Sequence, residues 1–96
     1  MLFTAVSKHD SKKCPLKTGE GVKMLKEIFS DENLKKRNID LVDTYFSCPK
    51  EKHSTHSCVF IFRADSMFNV KNLFRSMDAE VKEVVPFDVK NISQLK

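Results

Sequence analysis

Five apolar residues stand in a row at Cys58-Val59-Phe60-Ile61-Phe62. In a β-strand, neighbouring side chains point to opposite faces, so a run of this kind needs cover on both faces of a sheet. Such a strand belongs in the middle of a sheet. A chain of 96 residues makes one domain and buries a limited core, so its other segments must supply both the flanking strands and the covering layers.

The remaining segments fit that demand. Residues 2 to 8 read as a first strand, followed by a loop from His9 to Lys17 that carries Cys14-Pro15. Thr18 suits a helix N-cap and Glu20 a first turn. Val22, Leu25, Ile28 and Phe29 then recur at helical spacing. Ser30-Asp31-Glu32 offers a restart with Leu34 on the apolar side, and Asn38, after the basic Lys35-Lys36-Arg37, suits the helix end. Residues 39 to 46 read as a second strand that Pro49 stops. The third strand runs from His56 to Arg63, and Asp65 is a candidate N-cap for a helix with the stripe Val70, Leu73, Phe74 and Met77. Residues 80 to 87 give a fourth strand, with Lys82, Glu83 and Pro86 marking it as an edge.

The order β-α-β-β-α-β is the split βαβ of ferredoxin-like folds. The expectation is therefore one α+β domain over residues 1–96, with an antiparallel sheet in the order 4-1-3-2 and a short C-terminal helix at about 88–96. Helices would cover one face. The other would show apolar side chains of strand 3 to water, and a second copy packed sheet to sheet would close it as a symmetric dimer.

Composition narrows the function classes. The chain is 41% apolar and 31% charged, as expected for a soluble globular protein. Its net charge of +4 comes from scattered lysines with acidic residues between them, unlike the basic runs of nucleic-acid tails. The apolar run is far too short for a membrane span. Three cysteines, with no export signal in the first residues, point to free thiols in a reducing cytoplasm.

Six chemically capable side chains lie in two short stretches: His9 with Cys14, and Cys48, His53, His56 and Cys58. In the expected topology strand 1 ends at His9, strand 2 ends at Cys48 and strand 3 begins at His56, so all six fall at one end of the sheet. His56 and Cys58 are two apart on a strand, about 6 to 7 Å along one face. Imidazole and thiolate are the usual ligands of zinc and copper. His9, His56, Cys58 and Cys14 lead as ligand residues. Cys48 reads as a strand end and His53 as a solvated loop residue. The spacing matches no established zinc motif and holds no C-x-x-C pair.

Other readings compete. Cys14-Pro15 and Cys48-Pro49 resemble the haem-regulatory motif, in which the thiolate is the axial ligand, although proline is also an ordinary end-of-strand residue. Cys14, four residues before Thr18, lies near the positive end of a helix, where a thiol becomes reactive, with His9 as its acid or base. RNA binding through Phe3, Phe60 and Phe62 is disfavoured, because the signature of RNA-recognition modules is missing.

The first strand ending in His9, Cys14-Pro15, the helix start Gly19-Glu20-Gly21-Val22 and the His56-led strand running into Ala64-Asp65 together resemble small prokaryotic proteins of the dimeric α+β barrel superfamily. The resemblance implies a homodimer with a ligand held at the sheet end or between sheet and helices. It includes isomerases, monooxygenases and haem-binding proteins, and selects none of them. The expected function is binding of a small ligand, transition metal or haem at the His/Cys cluster. A dimeric enzyme of isomerase or monooxygenase type and a non-catalytic interaction module are the alternatives.

Overall fold

The computed structural model describes residues 1–48, 55–74, 77–87 and 90. The first strand, β1 (Leu2–Asp10), leads through two short 3-10 turns, Ser11–Lys13 and Pro15–Lys17, into α1 (Gly19–Ile28) and α2 (Asp31–Lys36). Strands β2 (Ile39–Phe46) and β3 (Thr55–Ala64), helix α3 (Met67–Leu73) and strand β4 (Glu80–Val84) follow. The sheet is antiparallel, in the order β2-β3-β1-β4.

Local chemistry sets the helix ends. Thr18 caps α1 by accepting from the Gly21 amide at 2.9 Å. Ser30 caps α2 by accepting from Asn33. Each satisfies an amide that has no partner within its helix. After α2 the chain turns at Asn38, whose φ of 57° is the left-handed conformation asparagine tolerates. Helix α3 is capped by Ser66 rather than by Asp65, because it is the Ser66 side chain that reaches the Asn69 amide.

The core lies between the sheet and the helices. Phe3 and Ala5 of β1 alternate inward, as do Cys58, Phe60, Phe62 and Ala64 of β3. Leu34, Val70, Leu73 and Phe74 close over them. Phe29 stacks on Phe60 with ring centroids 4.7 Å apart, and Phe74 packs against both Phe60 and Phe62. The double-sided demand of β3 is met unequally: its phenylalanines go into the core, while Val59 and Ile61 are half-buried on the other face.

The expectation of a ferredoxin-like subunit of a dimeric α+β barrel is corrected to a four-stranded α+β sheet with a reduced helical layer. Counted from β4, the strand neighbours are those written 4-1-3-2, so the departure lies in the helices. The first crossover is broken into two helices at Phe29-Ser30. Of these, α2 packs on β2, whereas α1 leans mainly on the second 3-10 turn. Helix α3 has only seven residues and β4 ends at Val84. The C-terminal helix expected at about 88–96 lies, apart from Lys90, outside the described residues.

Candidate metal centre

Strand pairing builds the site. In the β1–β3 ladder, His9 is the direct partner of His56, one pair before the end at Asp10 and Thr55. Both residues continue the inward alternation of their strands, so their rings fall on the helix side of the sheet. The rings meet edge to face, with centroids 5.2 Å apart.

Cys48 arrives from β2. The last paired residue of that strand, Phe46, lies opposite Cys58. Beyond it the chain stays pinned to β3: the Ser47 amide donates to the Ser57 carbonyl at 2.9 Å, and the Ser57 amide donates to Ser47 Oγ at 2.8 Å. Cys48 therefore follows at the level of His56, with its Sγ 3.4 Å from His9 Nε2.

Cys14 comes from the loop after β1. Asp10 accepts from the Lys12 amide and starts the first turn; the Lys17 amide donates to the Cys14 carbonyl and closes the second. Gly21 holds this loop in place. A side-chain carbon there would collide with the Pro15 carbonyl, so only glycine lets the first turn of α1 lie against the Pro15 backbone. The Cys14 thiol is buried as a result.

The ligand atoms of His9, Cys14, Cys48 and His56 all lie within 4.8 Å of one another. No second cluster of this kind occurs among the described residues. Tetrahedral zinc with two sulfur and two nitrogen ligands has donor–donor edges of about 3.3–3.8 Å, from bond lengths near 2.3 and 2.0 Å. Shortening the longest of these separations by about 1–1.5 Å reaches that geometry. The donor set also balances charge, since two thiolates neutralise a divalent ion and two imidazoles add nothing. Neutrality matters in a site this buried.

His56 makes the case for a missing partner. It is 1% exposed, and neither ring nitrogen has a hydrogen-bond partner. A buried, unsatisfied polar group costs about 1–3 kcal/mol. An ion held by one nitrogen relieves part of that cost.

Electrostatics follow from burial. Burial lowers the His9 pKa below its ordinary value, the neighbouring His56 lowers it further, and Asp10 opposes the shift. The imidazole is thus kept in the neutral form that binds metals. Burial pushes the Cys48 thiol up to about 12, and its hydrogen bonds and charge interactions with Cys14 and Cys58 add to the shift. Burial likewise raises Cys58. A cation opposes the Cys48 shift by holding the thiolate directly.

The leading sequence candidates His9, His56 and Cys14 thus come together. Cys48, the weaker candidate, joins them in place of Cys58, which sits one inward position deeper on β3 as a core residue against the Cys48 thiol. His53 lies outside the described residues. Sequence reasoning missed Ser7, buried next to this end of the core, and Gly21; a glycine two residues into a helix was the available signal for the latter. Phe3, Phe60 and Phe62 are buried beneath the helices, which removes them as a base-stacking platform. Two surface clefts, one lined by Val6, Lys8, Asp78, Ala79 and Glu80 and the other between α2 and β2, contain none of the cluster residues. No described helix is long and apolar enough to cross a membrane. No protein-family model, curated protein or solved structure matches the chain.

Proposed function

We propose that the protein binds a transition-metal ion, zinc before copper, through His9, Cys14, Cys48 and His56. The observation that carries this reading is buried His56, with both ring nitrogens unpartnered, facing three other ligand-type side chains. Zinc is preferred because a two-thiolate, two-imidazole set is a usual structural zinc shell and is neutral with the divalent ion. Four protein donors fill a tetrahedral shell and leave no position for a substrate or an activated water. That favours a metal that holds structure, or is itself carried, over a catalytic metal.

The four donors come from four segments: the end of β1, the loop before α1, the end of β2 and the start of β3. A metal here ties the two loops at this end of the sheet to its central strands. Haem is less well supported, since both candidate thiols already point into the compact cluster.

The test is metal uptake by the untagged, reduced protein. One zinc per chain is expected, with a raised melting temperature and an affinity that collapses in His56→Ala and Cys48→Ser. A protein that takes up no zinc above the level of these variants contradicts the reading.

The expected homodimer is proposed through the sheet face opposite the helices. Leu2, Val6, Val59 and Ile61 are half-buried there, and Tyr45 is exposed beside them. Sedimentation equilibrium tests it: a dimer is expected, and Val59→Lys should yield monomers that still bind zinc.

A further inference from the structure

We infer that Cys14 and Cys48 form a reversible disulfide that excludes the metal, so that the site loads and releases its ion according to thiol redox state. The inference rests on the metal reading for its consequence but not for its chemistry. Metal and disulfide compete for the same two sulfurs, which lie within 4.8 Å of each other.

Position selects this pair among the three thiols. Cys14 lies between two 3-10 turns and Cys48 lies just past the end of β2, so neither is locked inside a helix or a ladder. Cys14 can close the remaining distance by adjustment of its loop, while Cys48 stays beside the Ser47–Ser57 pair. Cys58 has no such freedom. It is held in the central strand between Ser7 and Phe46. Because Phe46 is its direct partner, Cys48 stands diagonal to it. Diagonal positions are about 7–8 Å apart, beyond the roughly 4.4–6.8 Å Cα separation that a disulfide spans. Exposure sets the order of events. Cys48 is partly exposed, whereas Cys14 and Cys58 are 3% and 1% exposed, so an oxidant meets Cys48 first.

With a hydroperoxide as oxidant the step balances. The Cys48 thiolate displaces hydroxide from the peroxide and becomes a sulfenic acid. The Cys14 thiolate then attacks that sulfur, the S–S bond forms and hydroxide leaves. Two thiolates lose two electrons, the peroxide is reduced to two hydroxides, which take up two protons as water, and the metal departs with two of its four ligands gone. A dithiol reductant restores both thiols and the site.

The experiment treats the zinc-loaded chain with hydrogen peroxide. Released zinc is followed with a chromogenic chelator, and the crosslink is mapped by mass spectrometry. The expected result is one zinc released per chain, a mass lower by two hydrogens, a Cys14–Cys48 linkage, and rebinding of zinc after reduction. Cys58→Ser should behave like the parent, and Cys14→Ser should form no intramolecular linkage. Zinc release without a crosslink, or a linkage that uses Cys58, overturns the proposal. Metal-free protein oxidised with a diazene dicarboxamide separates the two readings. A Cys14–Cys48 linkage there sustains the thiol pairing even if zinc uptake fails, and its absence overturns the pairing.

Discussion

The covered face of the sheet has two ends, built from the same two central strands. At one end Phe60 and Phe62 interlock with Phe29 and Phe74, and Phe3 is buried beside Phe62. At the other, the same alternation delivers Ser7, His9, His56 and Cys58, with Cys14 and Cys48 folded in beside them. The apolar end is complete, because every ring finds neighbours. The polar end is incomplete, because His56 has none of the partners its nitrogens require. The difference teaches that strand periodicity fixes which residues are buried, while side-chain chemistry decides whether burial stabilises the fold or prepares a site.

The largest test strikes the complete end. Phe60→Ala should cost about 3–5 kcal/mol in a denaturant titration, the usual range for removing a buried aromatic ring. That is a large fraction of the roughly 5–15 kcal/mol total stability of a domain. Added zinc should recover part of the loss, since it binds the folded chain and not the unfolded one. A loss well below 1 kcal/mol would mean the two ends do not differ as described.

His56→Leu makes the opposite change at the incomplete end. It removes an unsatisfied polar group, so the metal-free protein should become more stable, by up to about 1–3 kcal/mol. The zinc-dependent rise in melting temperature should vanish in the same variant. Destabilisation of the metal-free form would show that His56 has a partner and would weaken the case for an ion.

Gly21→Ala is subtler. Its methyl group must push the Pro15 turn away and carry Cys14 with it. Zinc affinity should fall by about tenfold or more, the scale seen when a supporting residue of a metal site is lost. Global stability should change much less. Unaltered affinity would show that the Pro15 turn does not position the ligand.

The last contrast is the pH dependence of the metal-free protein. His9 is lowered from its ordinary value of 6.5, so the unfolded chain holds its proton more readily, and stability should decline as pH falls below that value. Cys48 is raised from 9.0 to about 12, so the unfolded chain ionises first, and stability should decline as pH climbs from 9.0 toward 12. Thermal melts across both windows check each slope. His9→Gln should flatten the acidic limb, and Cys48→Ser the alkaline one.

Much of this contrast was legible in the letters. The alternation in β1 and β3 and the order of elements were enough to bring His9 beside His56. The choice between Cys48 and Cys58 was not legible, because it turns on register. A bulge between Leu41 and Asp43 shifts β2 against β3, and the Ser47–Ser57 pair then extends the pairing past the strand end. Neither feature has a signature in residue type alone. The thin helical layer was hidden for a similar reason. The spacing of Val22, Leu25, Ile28 and Phe29 marks an amphipathic helix without saying what it packs on, and α1 leans on the Pro15 turn more than on the sheet.

The central claim is that His9, Cys14, Cys48 and His56 form one tetrahedral metal shell. Cobalt(II) substitution tests it most directly, because cobalt reports its geometry and its sulfur ligands in the visible and near-ultraviolet spectrum. Titrating the reduced, untagged protein should give intense tetrahedral d–d bands and a thiolate charge-transfer band that saturate at one cobalt per chain, are bleached by zinc, and are lost in Cys14→Ser and in Cys48→Ser. A spectrum that stays that of the pale octahedral aqua ion throughout the titration would contradict the account.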